Sequence, residues 1–299
     1  MTTSAEQPHT PTAAHPLPAR PLRVAAAQAQ AVAGDIEANA ATVAAMIRQA
    51  AGDGAALVVF PEKFLSGYEP DLIKADPTRC AVQAGGDDDP RLAPIAAACR
   101  ETATVAVVGA AVLDAGDLYV SALVFGRDGA YVTRYDKQAL FKAEREVYRA
   151  GTLGCTLELD GWRLGLGICY DSGFAEHARA AALDGCHAYL VGALFGVGSG
   201  YHESRTWFPA RALDNTVYTV LANHIGRTGG WNTCGASAVW SPDGRLAAEA
   251  TPDHPGLALA DLDPATLHTL RAAEPMLHDF ATLPTLHTTP GPRSQHRLG

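Results

Sequence analysis

The sequence predicts an α/β sandwich with mixed sheets. Three observations carry this. Short apolar strands alternate with helical stretches, several strand pairs are joined by tight turns, and no linker interrupts the pattern between residues 22 and 262. The chain has 299 residues, 47% of them hydrophobic, enough for a large buried core. Length alone would suggest two domains at roughly 150 residues each. The unbroken rhythm instead makes 22–272 one domain, with a leader over 1–21 and a Pro/His-rich tail over 273–299.

Residues 1–21 hold five prolines and no apolar periodicity, and read as a disordered leader. Residues 22–30 form a buried strand. Asp35 can cap a helix whose apolar face is Ile36, Ala40, Val43, Ile47 and Ala51. The run 56–60 is a strand stopped by Pro61. A helix over 90–102 precedes the strand 105–113, and the turn 114–117 leads into the strand 118–125. Arg127-Asp128-Gly129 then turns the chain into 131–135.

The second half repeats this rhythm. Strands 155–159 and 162–168 flank an Asp160-Gly161 turn. A helix over 175–184, a strand over 188–194, a helix over 203–214 and a strand over 217–223 follow. Residues 237–240 and 245–249 pair around Pro242-Asp243-Gly244, and 257–261 is the last strand. The tail is expected to be disordered or laid across a partner subunit.

Composition excludes several function classes. The net charge is -9 and no Lys/Arg run occurs, so a nucleic-acid partner is not expected. The longest apolar runs, such as 188–195, fall far short of the roughly 20 residues a bilayer requires. Six scattered cysteines form no CxxC pair, and the leader has no apolar h-region. Reduced thiols and a cytoplasmic location are expected. Cys186-His187 and His177 lack the convergent partners of a zinc site, so no metal is expected; His177 reads as a packed or solvated histidine.

Three sites stand at predicted strand ends, where open α/β sheets place their ligands. In Phe60-Pro61-Glu62 a buried strand delivers a carboxylate past a proline. In Tyr135-Asp136-Lys137 a lysine follows a strand. In Gly167-Ile168-Cys169-Tyr170-Asp171 a glycine-rich strand ends on a cysteine shortly before a helix. Such a turn exposes the thiol, aims the next backbone N–H groups at the same spot and lowers the thiol pKa. Alone, each has an ordinary reading: a small core cysteine, a solvated glutamate, a surface lysine. Their common placement argues for chemistry.

These residues resemble those of the nitrilase (carbon–nitrogen hydrolase) superfamily. The resemblance runs from about Arg23 to Asp261. It rests on 24–28, Gly34-Asp35, Asn39, 57–62, Ser66-Gly67-Tyr68, Tyr135-Asp136-Lys137 with Leu140, Glu144 ahead of Gly151, 165–171, and Ala210-Arg211-Ala212 with Asn215 and Asn223. It implies a four-layer-type αββα sandwich subunit, paired as a homodimer or larger homo-oligomer. It also implies a catalytic set of Glu62, Lys137 and Cys169, with Glu144 as an accessory carboxylate. Two departures, Ser172-Gly173-Phe174 and Ala139-Leu140, bear on substrate rather than on reaction class.

Residue chemistry fits a cofactor-free mechanism. Glu62 can deprotonate the Cys169 thiol if burial raises its pKa, and the thiolate attacks a carbonyl or nitrile carbon. Lys137 and the backbone N–H of Tyr170 then form an oxyanion hole, where one donor is worth about 3–4 kcal/mol. Gly196-Val197-Gly198-Ser199-Gly200 lacks the third spaced glycine and the lysine–hydroxyl pair of a phosphate loop. It is expected to line the acyl pocket, with Phe195, Tyr201 and His202 as walls and Tyr68 returning near the carboxylate. The leading expectation is a small-molecule amidase. Alternatives are an N-carbamoyl hydrolase, a nitrilase, and an inactive binding protein on the same fold.

Overall fold

The computed structural model describes residues 15–84, 89–282 and 293–298. The first half contains β1 (Leu22–Gln28), α1 (Ile36–Gly52), β2 (Leu57–Val59), α2 (Pro70–Ala75), α3 (Pro77–Cys80), β3 (Val82–Gln83), α4 (Ala93–Thr102), β4 (Val105–Asp114), β5 (Asp117–Phe125) and β6 (Tyr131–Asp136). The second half opens with β7 (Gly154–Leu159), β8 (Trp162–Ile168), α5 (Ala175–Leu183), β9 (Ala188–Ala193), α6 (Ser199–Asn215) and β10 (Tyr218–Asn223). It closes with β11 (Arg227–Thr228), β12 (Trp231–Asn232), β13 (Ala238–Trp240), β14 (Leu246–Glu249), β15 (Gly256–Leu262), α7 (Pro264–Ala273), α8 (Met276–Thr282) and β16 (Arg293–Arg297).

Two sheets result. One runs β15-β1-β2-β4-β5-β6 with β3 beside β4; the other runs β14-β13-β10-β9-β8-β7-β16. In each, a parallel centre (β1-β2-β4, β8-β9-β10) passes into antiparallel neighbours. Strand alternation splits the apolar residues between two faces. Val24 and Ala26 join the core between the sheets, where Val59 and Val107 share one cluster with Leu164, Leu166, Leu190 and Val220. Ala25 and Ala27 face outward, into the cluster of Val43 and Ile47 on α1 and Ile95 and Ala98 on α4. On the other sheet, Tyr189, Val191 and Leu221 pack with Ala178, Phe208 and Ala212 of α5 and α6. Helix, sheet, sheet, helix: the fold is the αββα sandwich. Asp35 caps α1 as expected, accepting from Ala38 N. Among the described residues no helix is long and apolar enough to cross a membrane.

The structure differs from expectation at several elements. α2, α3 and α7 were not anticipated, although each starts on an acidic residue followed by proline: Glu69-Pro70, Asp76-Pro77 and Asp263-Pro264. α6 begins at Ser199, earlier than expected, and carries Pro209 inside it.

Of the leader, 1–14 lies outside the described residues. Residues 15–21 lie against the sandwich: Leu17 packs on the inter-sheet core, and Trp162 Nε1 donates to Arg20 O at 2.9 Å. The tail expectation is corrected where it is described. β16 pairs in parallel with β7 of its own sheet, and Leu298 is buried behind it. The edge of β7 offers unpaired backbone groups, and Arg293 adds bonds to Thr156 Oγ1 and Cys155 O. Residues 283–292 lie outside the described residues.

Candidate active site

Past β2 the chain runs as Phe60-Pro61-Glu62-Lys63 between the two sheets. Two glycines permit this approach. A Cβ on Gly109 of β4 would strike Pro61 O, and one on Gly192 of β9 would strike Phe60 O. His224 Nε2 donates to Glu62 O at 2.6 Å, and the His224 ring stacks on Phe64. Glu62 is thereby fixed, with its side chain fully buried.

Lys137 follows β6 and is fully buried. Its Nζ donates to Glu62 Oε1 and to Glu144 Oε2, both at 2.7 Å. Glu144 sits in a short 3-10 turn, Lys142–Glu146. Its Oε2 also accepts from Phe141 N, and its Oε1 accepts from the Tyr68 hydroxyl at 2.8 Å. Lys63 Nζ stands 3.4 Å from the same Oε1.

Cys169 follows β8 and opens the 3-10 turn Cys169–Gly173. Its φ of +44° lies in the left-handed region, strained for a residue bearing a Cβ. Asp171 holds this turn to the lysine loop. Its Oδ2 accepts from Ile168 N at 3.0 Å and from the Tyr135 hydroxyl at 2.7 Å, while its Oδ1 accepts from Ala139 N at 2.7 Å. The Sγ lies 3.6 Å from Leu194 O. Tyr170 N–H falls in the first turn of the 3-10 helix, where backbone donors have no partner within the helix.

Electrostatics separate the two carboxyls. Burial pushes the Glu62 pKa up, and the Glu144 charge adds to this against the pull of Lys137. Burial also works on Glu144, but the Lys137 and Lys63 ammoniums overcome it and hold the pKa down at about 2. For Lys137, burial is outweighed by Glu62, Cys169 and Glu144, which raise its pKa and keep it an ammonium. Burial and the Glu62 charge push the Cys169 thiol up against Lys137, so it rests protonated. Glu62 Oε2 is buried and has no hydrogen-bond partner among the described residues. One carboxyl is held charged and the other has a spare oxygen and a raised pKa, the division of labour that acid–base chemistry uses.

The expected pocket residues divide. Tyr68 joins the cluster through Glu144. Phe195 is buried next to Leu194, its N–H held by Asn223 Oδ1 at 2.7 Å and its ring against Trp207 and Phe208. Tyr201 and His202 are not brought into hydrogen-bond contact with the cluster. Both are exposed on the first turn of α6, and the Tyr201 ring meets the Arg205 guanidinium. The glycine-rich segment ends as a helix start, which turns these side chains outward. His177 is packed: its ring bridges the hydroxyls of Tyr135 and Tyr189 at 2.8 Å each. Sequence reasoning gave no role to Lys63, Tyr148, Asp171 or His224. Only Asp171 left a signal, as part of the Cys169-Tyr170-Asp171 motif.

The family model for carbon–nitrogen hydrolase matches residues 23–272. The chain belongs to the carbon–nitrogen hydrolase family. It is 32% identical to a nitrilase of Pyrococcus abyssi over 73% of this chain and 80% of that one. It is 29% identical to an omega-amidase of Homo sapiens over 80% of this chain and 87% of that one. Its fold superposes on an amidase of Nesterenkonia sp. AN1 from the nitrilase superfamily, solved in complex with butyramide, with a TM-score of 0.72, 28% identity and coverage of 86% and 96%. A variant of that amidase has been solved with the acetamide moiety of fluoroacetamide covalently added to its active-site cysteine. This chain is a carbon–nitrogen hydrolase built like these enzymes.

Proposed function

We propose that this enzyme hydrolyses a small linear amide to a carboxylic acid and ammonia through a thioester on Cys169. The observation that carries this reading is the buried Glu62–Lys137–Glu144 cluster, electrostatically coupled to the Cys169 thiol, with Glu62 Oε2 unpartnered. Glu62 takes the thiol proton as sulfur attacks the amide carbon. The negative charge that develops on the substrate oxygen is met by the Lys137 ammonium and the Tyr170 N–H. Glu62 returns the proton to the departing nitrogen, ammonia leaves, and water activated by Glu62 cleaves the thioester. Each proton moves within the site, so its total charge is constant throughout. Glu144 holds the Lys137 ammonium in place. The covalent cysteine adduct of the Nesterenkonia amidase supports the same use of sulfur here.

One second reading has its own support: the relative named a nitrilase favours a nitrile substrate, attacked at carbon by the same sulfur. Ammonia release from a panel of linear amides and their matching nitriles separates the two. Amides should turn over and nitriles should not. Turnover of nitriles alone would replace the amidase reading, and ammonia from neither would remove both.

A further inference from the structure

Lys63 follows Glu62 in the chain and is fully buried. Its φ of +48° lies in the left-handed region, so its placement is imposed by its surroundings. Its Nζ stands 3.4 Å from Glu144 Oε1, 3.5 Å from the centroid of the Tyr68 ring and 4.7 Å from that of Tyr148. A carboxylate and two aromatic faces are the surroundings of a cation. Its Nζ is turned to Glu144 and the two rings, so it acts through them.

Charge counting gives it a role. Glu62 and Glu144 bring two negative charges to one buried site, and Lys137, bonded to both, brings one positive charge. A buried group with one net negative charge resolves the imbalance by protonating a carboxylate. Glu62 is the exposed flank of this balance, because its pKa is already pushed up and one of its oxygens has no partner. Glu144, with four donors around it, is held charged.

We propose that Lys63 is a positioning residue for this chemistry, resting on Glu62 as the base: its ammonium is the second positive charge that keeps both carboxylates ionised, so that Glu62 can accept the Cys169 proton near neutral pH. The groups facing it are Glu62 on its own loop, Glu144, Tyr68, Tyr148, Lys137 after β6, and His224 after β10. Burial pushes His224 down to about 4, so it is neutral and does not alter the count. Burial also pulls the Lys63 pKa below the usual lysine value, and the Glu144 and Glu62 carboxylates pull against that.

The test is the pH dependence of Cys169 alkylation by iodoacetamide, followed by mass spectrometry of the Cys169 peptide. This readout needs no amide substrate. In Lys63→Met the acid limb of the alkylation rate should move up by about one pH unit, the usual effect of losing one nearby opposite charge. Below the limb that is about a tenfold slower reaction. Lys63→Gln, which is one atom shorter but keeps a polar end, should show the same shift and guards against a packing defect in the Met variant. Adding Glu144→Gln to Lys63→Met removes the uncompensated negative charge and should bring the limb back down. An unmoved limb in both folded Lys63 variants, or a double variant no lower than the single, would overturn the proposal. Failure of Cys169 to alkylate in the unaltered enzyme would instead strike the catalytic reading on which it rests.

Discussion

Two buried polar networks meet at the Cys169 turn, and they differ in how completely they are satisfied. In one, Asp171 accepts from Ile168 N, Ala139 N and the Tyr135 hydroxyl. Because Tyr135 gives its proton to Asp171, it accepts from His177 Nε2–H. His177 Nδ1 then accepts from the Tyr189 hydroxyl. Every group has one matched role. In the other, Glu62, Glu144, Lys137 and Lys63 carry opposing charges, and Glu62 Oε2 has no partner. A satisfied network fixes geometry, whereas one with an unmatched acceptor retains the capacity to take a proton. The contrast assigns the first network to holding the cysteine and the second to using it.

The largest effect separates the two roles directly. Cys169→Ala should reduce turnover by about 10⁴-fold or more while leaving the melting temperature close to that of the unaltered enzyme. Glu62→Gln should approach the same loss, because an amide keeps the size but carries no proton. Steady-state ammonia release and thermal melts on the same samples provide both readings. A Cys169→Ala enzyme with near-normal turnover would dissolve the distinction.

Asp171→Asn should act on both quantities. One amide N–H₂ would face backbone donors where an oxygen now accepts, costing about 2–4 kcal/mol. The turn that carries Cys169 would loosen, so kcat should fall without the residue touching substrate. If denaturant titration shows no loss of stability, Asp171 does not anchor the turn.

A smaller effect concerns pH. Burial lowers the His177 pKa from its ordinary value near 6.5, and the neutral ring is what the two tyrosines require. A group whose folded pKa is depressed contributes stability above its unfolded pKa, and that stability is lost as pH falls below it. Melting temperature should therefore decline as pH drops from about 6.5. His187 and His224, held near 3 and 4, add to the same slope. His177→Gln should make the decline shallower without abolishing it. An unchanged slope would mean that His177 titrates like a solvated histidine.

Much of this was legible in the chain because it follows from local rules. Apolar runs punctuated by Gly, Pro and Asp gave most strands of both sheets. Glu62, Lys137 and Cys169 stood out because each follows a strand. What escaped notice depended on tertiary partners. Lys63 carries no signal in the sequence, and its setting is made by Tyr68, Tyr148 and Glu144. β16, with the sequence Arg-Ser-Gln-His-Arg, has no apolar alternation and becomes a strand only because β7 presents an edge. Tyr201 and His202 were drawn toward the pocket by a glycine-rich stretch that instead starts a helix. The acidic residue–proline starts of α2, α3 and α7 were readable signals left unused.

The central claim is that sulfur becomes covalently acylated. With a verified amide substrate, hydroxylamine should intercept the Cys169 thioester and yield a hydroxamate that rises with hydroxylamine concentration, while ammonia continues to report total turnover. The same mixture quenched early should show the acyl mass on the Cys169 peptide. Full ammonia release with neither hydroxamate nor adduct would mean that water attacks the amide directly, and Cys169 would lose the role given to it here.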